Sequence, residues 1–156
     1  MSMVEWVRRE KNQNLVVFVH GLTGGMGTWT FDENVSFPTL MATDSRLDGF
    51  DIACFNYFTT FTNMYGVSKS FVARFFSSLK SFKKNLPIDE LGDLLKTEFS
   101  VNFSKYKKVI IIAHSMGGLI SKHCILQQIE HDGRTPVAGF ISLAVPHQGA
   151  EAASWA

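Results

Sequence analysis

Four short apolar runs divide the chain, at residues 15–19, 51–57, 108–113 and 137–145. Their length and their content of β-branched and aromatic residues favour strands, and unbroken rather than alternating hydrophobicity indicates burial on both faces. Strands of this kind are typical of a parallel sheet. The sequence VEWVRR, at residues 4–9, is a further candidate strand for the edge of that sheet.

Helical patterns lie between the runs. One covers about residues 38–47, one begins near Pro87 with IDELGDLLKTEF, and one covers about residues 116–131. Pro87 suits a first helical position, and Asp89 and Glu90 then lie in the first turn, where the helix dipole favours acidic side chains. The alternation of strands and helices predicts an α/β layered fold with a mostly parallel sheet.

Residues 58–86 form a longer connection that is rich in phenylalanine. Four apolar residues recur there at helical spacing, at Phe71, Phe75, Leu79 and Phe82, and lysines fall mostly on another face. Such a basic, aromatic helix is typical of a lid or of a surface that makes peripheral contact with a membrane. It is also typical of a helix that packs its phenylalanines on the core, and this second interpretation is favoured because most amphipathic helices are simply packed.

Composition limits the function classes. With 156 residues, 46% of them hydrophobic, the chain has room for one domain, taken here as 1–156. A formal net charge of +1 gives no field that would favour nucleic acid. Cys54 and Cys124 lack CxxC spacing, so we interpret them as reduced core thiols, and no metal motif is visible. The charged N-terminus is unlike a signal peptide and no apolar run reaches ~20 residues, so a cytoplasmic location is expected.

The third run ends abruptly in AHSMG, residues 113–117. A serine hydroxyl is a poor nucleophile at neutral pH, and a tight strand-to-helix turn helps by presenting it at an apex. The flanking backbones nearly touch in such a turn, so small residues are needed two before and two after the serine. AHSMG meets this requirement as a G-x-S-x-G nucleophile elbow with alanine in place of the first glycine. Ser115 would lie at a helix N-terminus, where the amide of Met116 could stabilise an oxyanion.

A second oxyanion donor is expected from the loop after the first run, FVHGLTGGMGTW at residues 18–29. Gly21 lets the backbone turn so that the amide of Leu22 can face Ser115. The glycines could instead form a plain flexible loop or a phosphate-binding loop. The phosphate interpretation is disfavoured because the loop has neither a Gly-Lys-Ser/Thr ending nor a G-x-G-x-x-G register.

These stretches resemble the α/β-hydrolase superfamily, and within it the lipase-like serine esterases. The resemblance is carried by VVFVHGLTGGMGTW, VIIIAHSMGGLISK and SLAVPHQGA and covers about residues 15–150. It implies a three-layer α/β sandwich in which Ser115 is the nucleophile and the amides of Leu22 and Met116 form the oxyanion hole. It also implies an acyl-enzyme mechanism on a small-molecule acyl ester or a lipid, without a cofactor. Acyl transfer to an alcohol other than water would use the same groups.

The triad of this fold follows the chain order serine, acid, histidine. Of the histidines downstream of Ser115, His123 is expected to point away from the hydroxyl, and His131 to lie at the far end of its helix. His147 alone is expected near the carboxyl edge of the strands. It precedes the strands that would supply the acid and the base, so it is interpreted as a residue that shapes the site.

Four more residues are expected to shape the site: His20 and His114 by hydrogen bonds, and Gly21 and Gly117 by close packing. The sequence pattern suggests the N-terminal part of a hydrolase that ends before its acid and base. The strand at 137–145 would then present an apolar edge, which predicts self-association. The alternatives are a catalytically inactive binding or scaffold domain and activity completed by another chain.

Overall fold

The computed structural model describes residues 3–21, 24–32, 35–57 and 87–147. The candidate lid at 58–86 and Leu22 lie outside these residues. In chain order the strands and α-helices are β1 (Val4–Arg8), β2 (Asn14–Val19), β3 (Thr30–Asp32), β4 (Val35–Ser36), α1 (Phe37–Thr43), β5 (Phe50–Phe55), α2 (Pro87–Val101), β6 (Lys108–His114), α3 (Met116–Asp132) and β7 (Val137–Leu143).

The main sheet has the order β1-β5-β2-β6-β7, and only β1 runs antiparallel to its neighbour. The predicted α/β class with a mostly parallel sheet is therefore confirmed. All four apolar runs form strands of this sheet, and the segment at 4–9 supplies the edge strand β1. The carboxyl ends of β5, β2, β6 and β7 lie at one edge, because these strands are parallel.

Helices on both faces explain the unbroken hydrophobicity of β2, β5 and β6. The predicted burial on both faces is wrong for β7, an outer strand with exposed residues. On one face Val17 of β2 lies in a buried cluster with Leu95 of α2 and Ile120 of α3. On the other face Phe18 lies in a cluster against which Met41 of α1 packs. Successive strand residues point to opposite faces, so a strand between two helical layers must be apolar at every position.

The helix bounds differ from the prediction in one place. The helix predicted over 38–47 ends at Thr43, and a 3₁₀ turn at Ser45–Leu47 follows it. Asp44 separates the two because its carboxylate accepts the backbone N–H of Arg46, which competes with continuation of the helix. The start of α1 is fixed by a capping box between Ser36 and Thr39. The short β3–β4 hairpin was not predicted, since its strands are too short to show a period.

The structure also bears on two predictions from composition, that the cysteines are core thiols and that no segment spans a membrane. Cys54 and Cys124 are free and buried, and burial raises the pKa of each thiol to about 12. No helix in the described part of the chain is long and apolar enough to cross a bilayer.

A buried carboxylate fixes the amino ends of the strands, opposite to Ser115. Asp51 of β5 is fully buried and accepts hydrogen bonds from the Tyr106 hydroxyl and from the backbone N–H groups of Glu10, at 2.9 Å, and Asn12, at 3.2 Å. Burial is the largest single influence on the pKa of Asp51 and raises it. The hydrogen bonds, of which the one from Tyr106 is the strongest, outweigh burial and hold the pKa below its usual value.

Asp51→Asn is expected to lower the free energy of unfolding at pH 7 by about 1–3 kcal/mol, because the amide cannot accept all three donors. Since the pKa of Asp51 is lower in the folded than in the unfolded chain, the carboxylate contributes its full stability above about pH 4. That contribution is lost as the pH falls through the folded-state pKa. Urea unfolding of both proteins between pH 7 and pH 3 should show the difference shrinking on acidification, and a constant difference would contradict the assignment.

Candidate active site

Ser115 forms the turn between β6 and α3 and has φ 53° and ψ −125°. A non-glycine residue with such angles costs about 1–3 kcal/mol, so the surrounding structure must hold it there. Two backbone hydrogen bonds do so. The Ser115 N–H donates to the Leu143 carbonyl at 2.9 Å, and the Ser115 carbonyl accepts the Gly118 N–H at 3.0 Å. The side chain is half-buried at the carboxyl edge of the sheet.

Two glycines allow the loop after β2 to lie directly against this turn. A Cβ atom on Gly117 would lie 2.3 Å from the carbonyl oxygen of His20 and 2.4 Å from that of Val19. A Cβ atom on Gly21 would lie 2.9 Å from the Cβ atom of Ser115. Real Cβ atoms do not come so close to such atoms, so a larger residue at either position must displace backbone or the serine turn.

His20 is 2% exposed, and both of its ring nitrogens face partners. Nδ1 lies 2.7 Å from the Gly21 carbonyl oxygen, which can only accept, so Nδ1 carries the proton. Nε2 lies 3.4 Å from the backbone nitrogen of Tyr57 and accepts its N–H. Burial lowers the pKa of His20, and the hydrogen bond to Gly21 offsets this only in part. His20 is therefore a neutral residue that orders its loop by hydrogen bonds.

His114, the neighbour of Ser115 in β6, is in a different position. Its Nδ1 is shielded from solvent and has no hydrogen-bond partner among the described residues, so the expectation that His114 orders the loops by hydrogen bonding stays a prediction that would rest on Nε2. Its ring instead meets Trp29 edge to face, with centroids 6.3 Å apart. Trp29 is buried and also contacts Phe18, and neither contact could be read from sequence spacing.

The described residues bring no histidine within hydrogen-bond distance of the Ser115 hydroxyl. His147 follows β7 at the carboxyl edge, as predicted, but it is exposed and its Nε2 lies 3.1 Å from the Ser142 hydroxyl. Its role in shaping the site stays a prediction.

The two histidines of α3 lie away from the serine turn. His123 faces α2, where its Nδ1 is 3.3 Å from the Asp89 carboxylate and its Nε2 is 3.5 Å from that of Asp93. His131 is exposed in the last turn of α3. Across the described ranges, no three His, Cys, Asp or Glu side chains are grouped so that they could hold a metal ion.

One of the two expected oxyanion donors lies in the described part of the chain. Met116 is the first residue of α3, where backbone N–H groups have no partner within the helix. Its amide adjoins Ser115 at the positive end of the helix dipole, a favourable place for developing negative charge. Leu22 lies outside the described residues, so the second donor stays a prediction.

The sheet order and the serine turn at the end of a parallel strand define an α/β-hydrolase fold. Residues 9–155 match the family described as "Putative serine esterase (DUF676)", and the chain belongs to this family.

Two solved structures show a similar fold. The lipase of Bacillus licheniformis in its mature form has a TM-score of 0.54 and 23% identity over 93% of this chain. A variant of YbtT, the type II thioesterase from the yersiniabactin NRPS/PKS biosynthetic pathway, has a TM-score of 0.50 and 14% identity over 86% of this chain. The chain covers 46% of the lipase and 44% of the thioesterase, so it spans less than half of either. Comparison with curated protein sequences finds no significant match.

Proposed function

We propose that this chain, as one α/β-hydrolase domain, carries the nucleophile and the oxyanion hole of a serine esterase. Ser115 attacks the carbonyl carbon of a small acyl ester or a lipid, the alcohol leaves, and an acyl-enzyme remains for water to hydrolyse. The amides of Met116 and Leu22 stabilise the oxyanion. The observation that carries the proposal is the strained backbone of Ser115, held at a helix N-terminus with Gly21 against it. Strain of this kind clusters at functional sites.

The attacking hydroxyl must transfer its proton to a base. His20 cannot accept it, because Nδ1 is already protonated and Nε2 is occupied by the Tyr57 N–H. His147 is the candidate base that the described residues offer at this edge of the sheet. It would have to exchange its contact with Ser142 for one with Ser115. Hydrogen bonds at catalytic sites often tighten only when substrate is bound.

A second candidate function is a binding or scaffold domain that keeps the fold without catalysis. It is favoured by the lack, among the described residues, of a histidine hydrogen-bonded to Ser115. The two functions differ in the reactivity of the serine, because a hydroxyl without an activating base is unreactive at neutral pH.

Labelling with a fluorophosphonate distinguishes the two. We expect the chain to gain one phosphonyl group at neutral pH and Ser115→Ala to gain none, because only an activated serine attacks the reagent. Intact-mass spectrometry and peptide mapping would identify the modified residue. Ser104→Ala, which removes an exposed hydroxyl in the turn between α2 and β6, is the matched control and should label like the unmodified chain. An unlabelled Ser115 would favour the binding domain.

The outer strand β7 supports the predicted self-association. β7 pairs only with β6 among the described residues, and its Ile141 and Leu143 are 50% and 38% exposed. An apolar edge strand is a template for pairing with another chain. We expect light scattering of this chain to show dimers or larger species that Ile141→Lys reduces. A monomer at moderate concentration before substitution would contradict the proposal. Peripheral membrane contact by residues 58–86 stays a prediction.

A further inference from the structure

Tyr57 holds His20 through three separate contacts. It follows β5, the neighbour of β2 on the side away from β6. Its hydroxyl donates to the His20 carbonyl at 2.6 Å, its backbone N–H faces Nε2 of His20, and the two rings stack with centroids 4.2 Å apart and planes at 10°. Tyr57 is buried, and burial raises the pKa of its phenol, so the hydroxyl remains a donor at neutral pH.

The backbone N–H of Tyr57 selects the tautomer of His20. If Nε2 carried the proton, two N–H groups would face each other there, and a bare Nδ1 would face the Gly21 carbonyl oxygen. With the proton on Nδ1, both contacts become hydrogen bonds. Because Tyr57 fixes the imidazole at Nε2, it also fixes the Gly21 carbonyl, which accepts the hydrogen bond from Nδ1.

Two successive carbonyl groups of the loop are fixed in this way. The His20 carbonyl is held by the Tyr57 hydroxyl, and the Gly21 carbonyl is held by His20 Nδ1 and by the Gly24 N–H at 3.2 Å. The backbone of His20 and Gly21 is thereby held where Gly21 lies directly against the Ser115 turn.

We propose that Tyr57 is a positioning residue for the oxyanion-binding loop, acting through His20. This inference rests on the proposed esterase function of Ser115. Tyr57 does not touch the reacting atoms. It sets the directions of the His20 and Gly21 carbonyls, and so the way in which the described start of the loop lies against the Ser115 turn.

Tyr57→Phe tests the proposal, because it removes the hydroxyl while keeping the ring and the backbone N–H. We expect kcat for p-nitrophenyl acetate to fall about tenfold with KM within about twofold, since an oxyanion donor acts mainly in the transition state. Tyr106→Phe is the matched control. It also removes a buried tyrosine hydroxyl, the one that donates to Asp51 at the opposite edge of the sheet, and it should leave kcat unchanged. If kcat fell equally in both variants, or fell in neither of them, the inference would be overturned.

Two measurements without substrate separate this inference from the esterase proposal. Amide hydrogen exchange at Gly24, whose N–H donates to the Gly21 carbonyl, should be about tenfold faster in Tyr57→Phe and unchanged in Tyr106→Phe. Nitrogen-15 spectra of the unmodified protein at neutral pH should show His20 with the proton on Nδ1. If turnover does not depend on Ser115, the esterase proposal fails, and these two results still decide the role of Tyr57. A proton on Nε2, or unchanged exchange at Gly24 in Tyr57→Phe, would overturn it.

Discussion

Replacing Ser115 with alanine is expected to lower kcat/KM for a short-chain p-nitrophenyl ester by about a thousandfold or more, since loss of a nucleophile removes the acyl-enzyme route. Alanine keeps the Cβ atom that lies against Gly21, so the turn itself should not change. The measurement is the initial rate of p-nitrophenol release by the chain and by Ser115→Ala at equal concentration.

Two further variants make the result specific. Ser104→Ala should keep the turnover of the unmodified chain, because the Ser104 hydroxyl is exposed in the turn between α2 and β6. His147→Gln tests the base: if turnover depends on Ser115 and falls with His147→Gln, then His147 reaches the serine. If the unmodified chain and Ser115→Ala turn over the ester equally, Ser115 is not the nucleophile under these conditions and the binding-domain function is favoured.

Gly117→Ala is expected to lower the free energy of unfolding by about 3 kcal/mol and to abolish labelling of Ser115. The added methyl group would lie 2.3 Å from the His20 carbonyl oxygen and 2.4 Å from that of Val19. Both are backbone atoms at the end of a central strand, so they cannot rotate away as a side chain would. The helix start or the loop must shift instead, and either shift moves the serine turn. Urea unfolding and fluorophosphonate labelling measure the two effects.

Gly49→Ala is the control for this prediction. Gly49 lies in the turn before β5, and a Cβ atom there would meet no atom within 4 Å. Its stability should therefore change by no more than about 0.5 kcal/mol, the usual range for surface substitutions. If Gly117→Ala unfolded and labelled like the unmodified chain, the close approach of α3 to the end of β2 would be contradicted.

The strands could be predicted from the sequence because their physical cause is local composition. The run at 108–113 is short, rich in β-branched residues and apolar at nearly every position, as a strand covered on both faces requires, and β6 has this environment. The start of α2 at Pro87 was predictable for a similar reason, since proline fits the first turn of a helix. The end of α1 was less predictable from the sequence, because a single side chain, Asp44, stops the helix.

In the candidate site, too, one part could be predicted from local sequence and another part could not. AHSMG predicted a tight turn because small residues at fixed spacing are a local steric requirement, and the positive φ of Ser115 agrees with it. Three other features were not predictable from the sequence. They are the unpartnered Nδ1 of His114, the contact of the His114 ring with Trp29, and the contacts by which Tyr57 holds His20. Each joins residues that are distant in sequence or depends on what other strands place nearby.

The sequence by itself determined the α/β class, the order along the chain of the strands of the main sheet and the helices between them, and the serine that stands between a strand and a helix. These features follow from hydrophobic period and local sterics, which a short window of residues contains. The tertiary structure alone decided that β5 lies on the other side of β2, and therefore that Tyr57 meets His20 at the edge of the sheet where Ser115 lies. Strand order depends on long-range pairing, so the tautomer of His20 and the orientation of its loop follow from packing that no single segment of the sequence specifies.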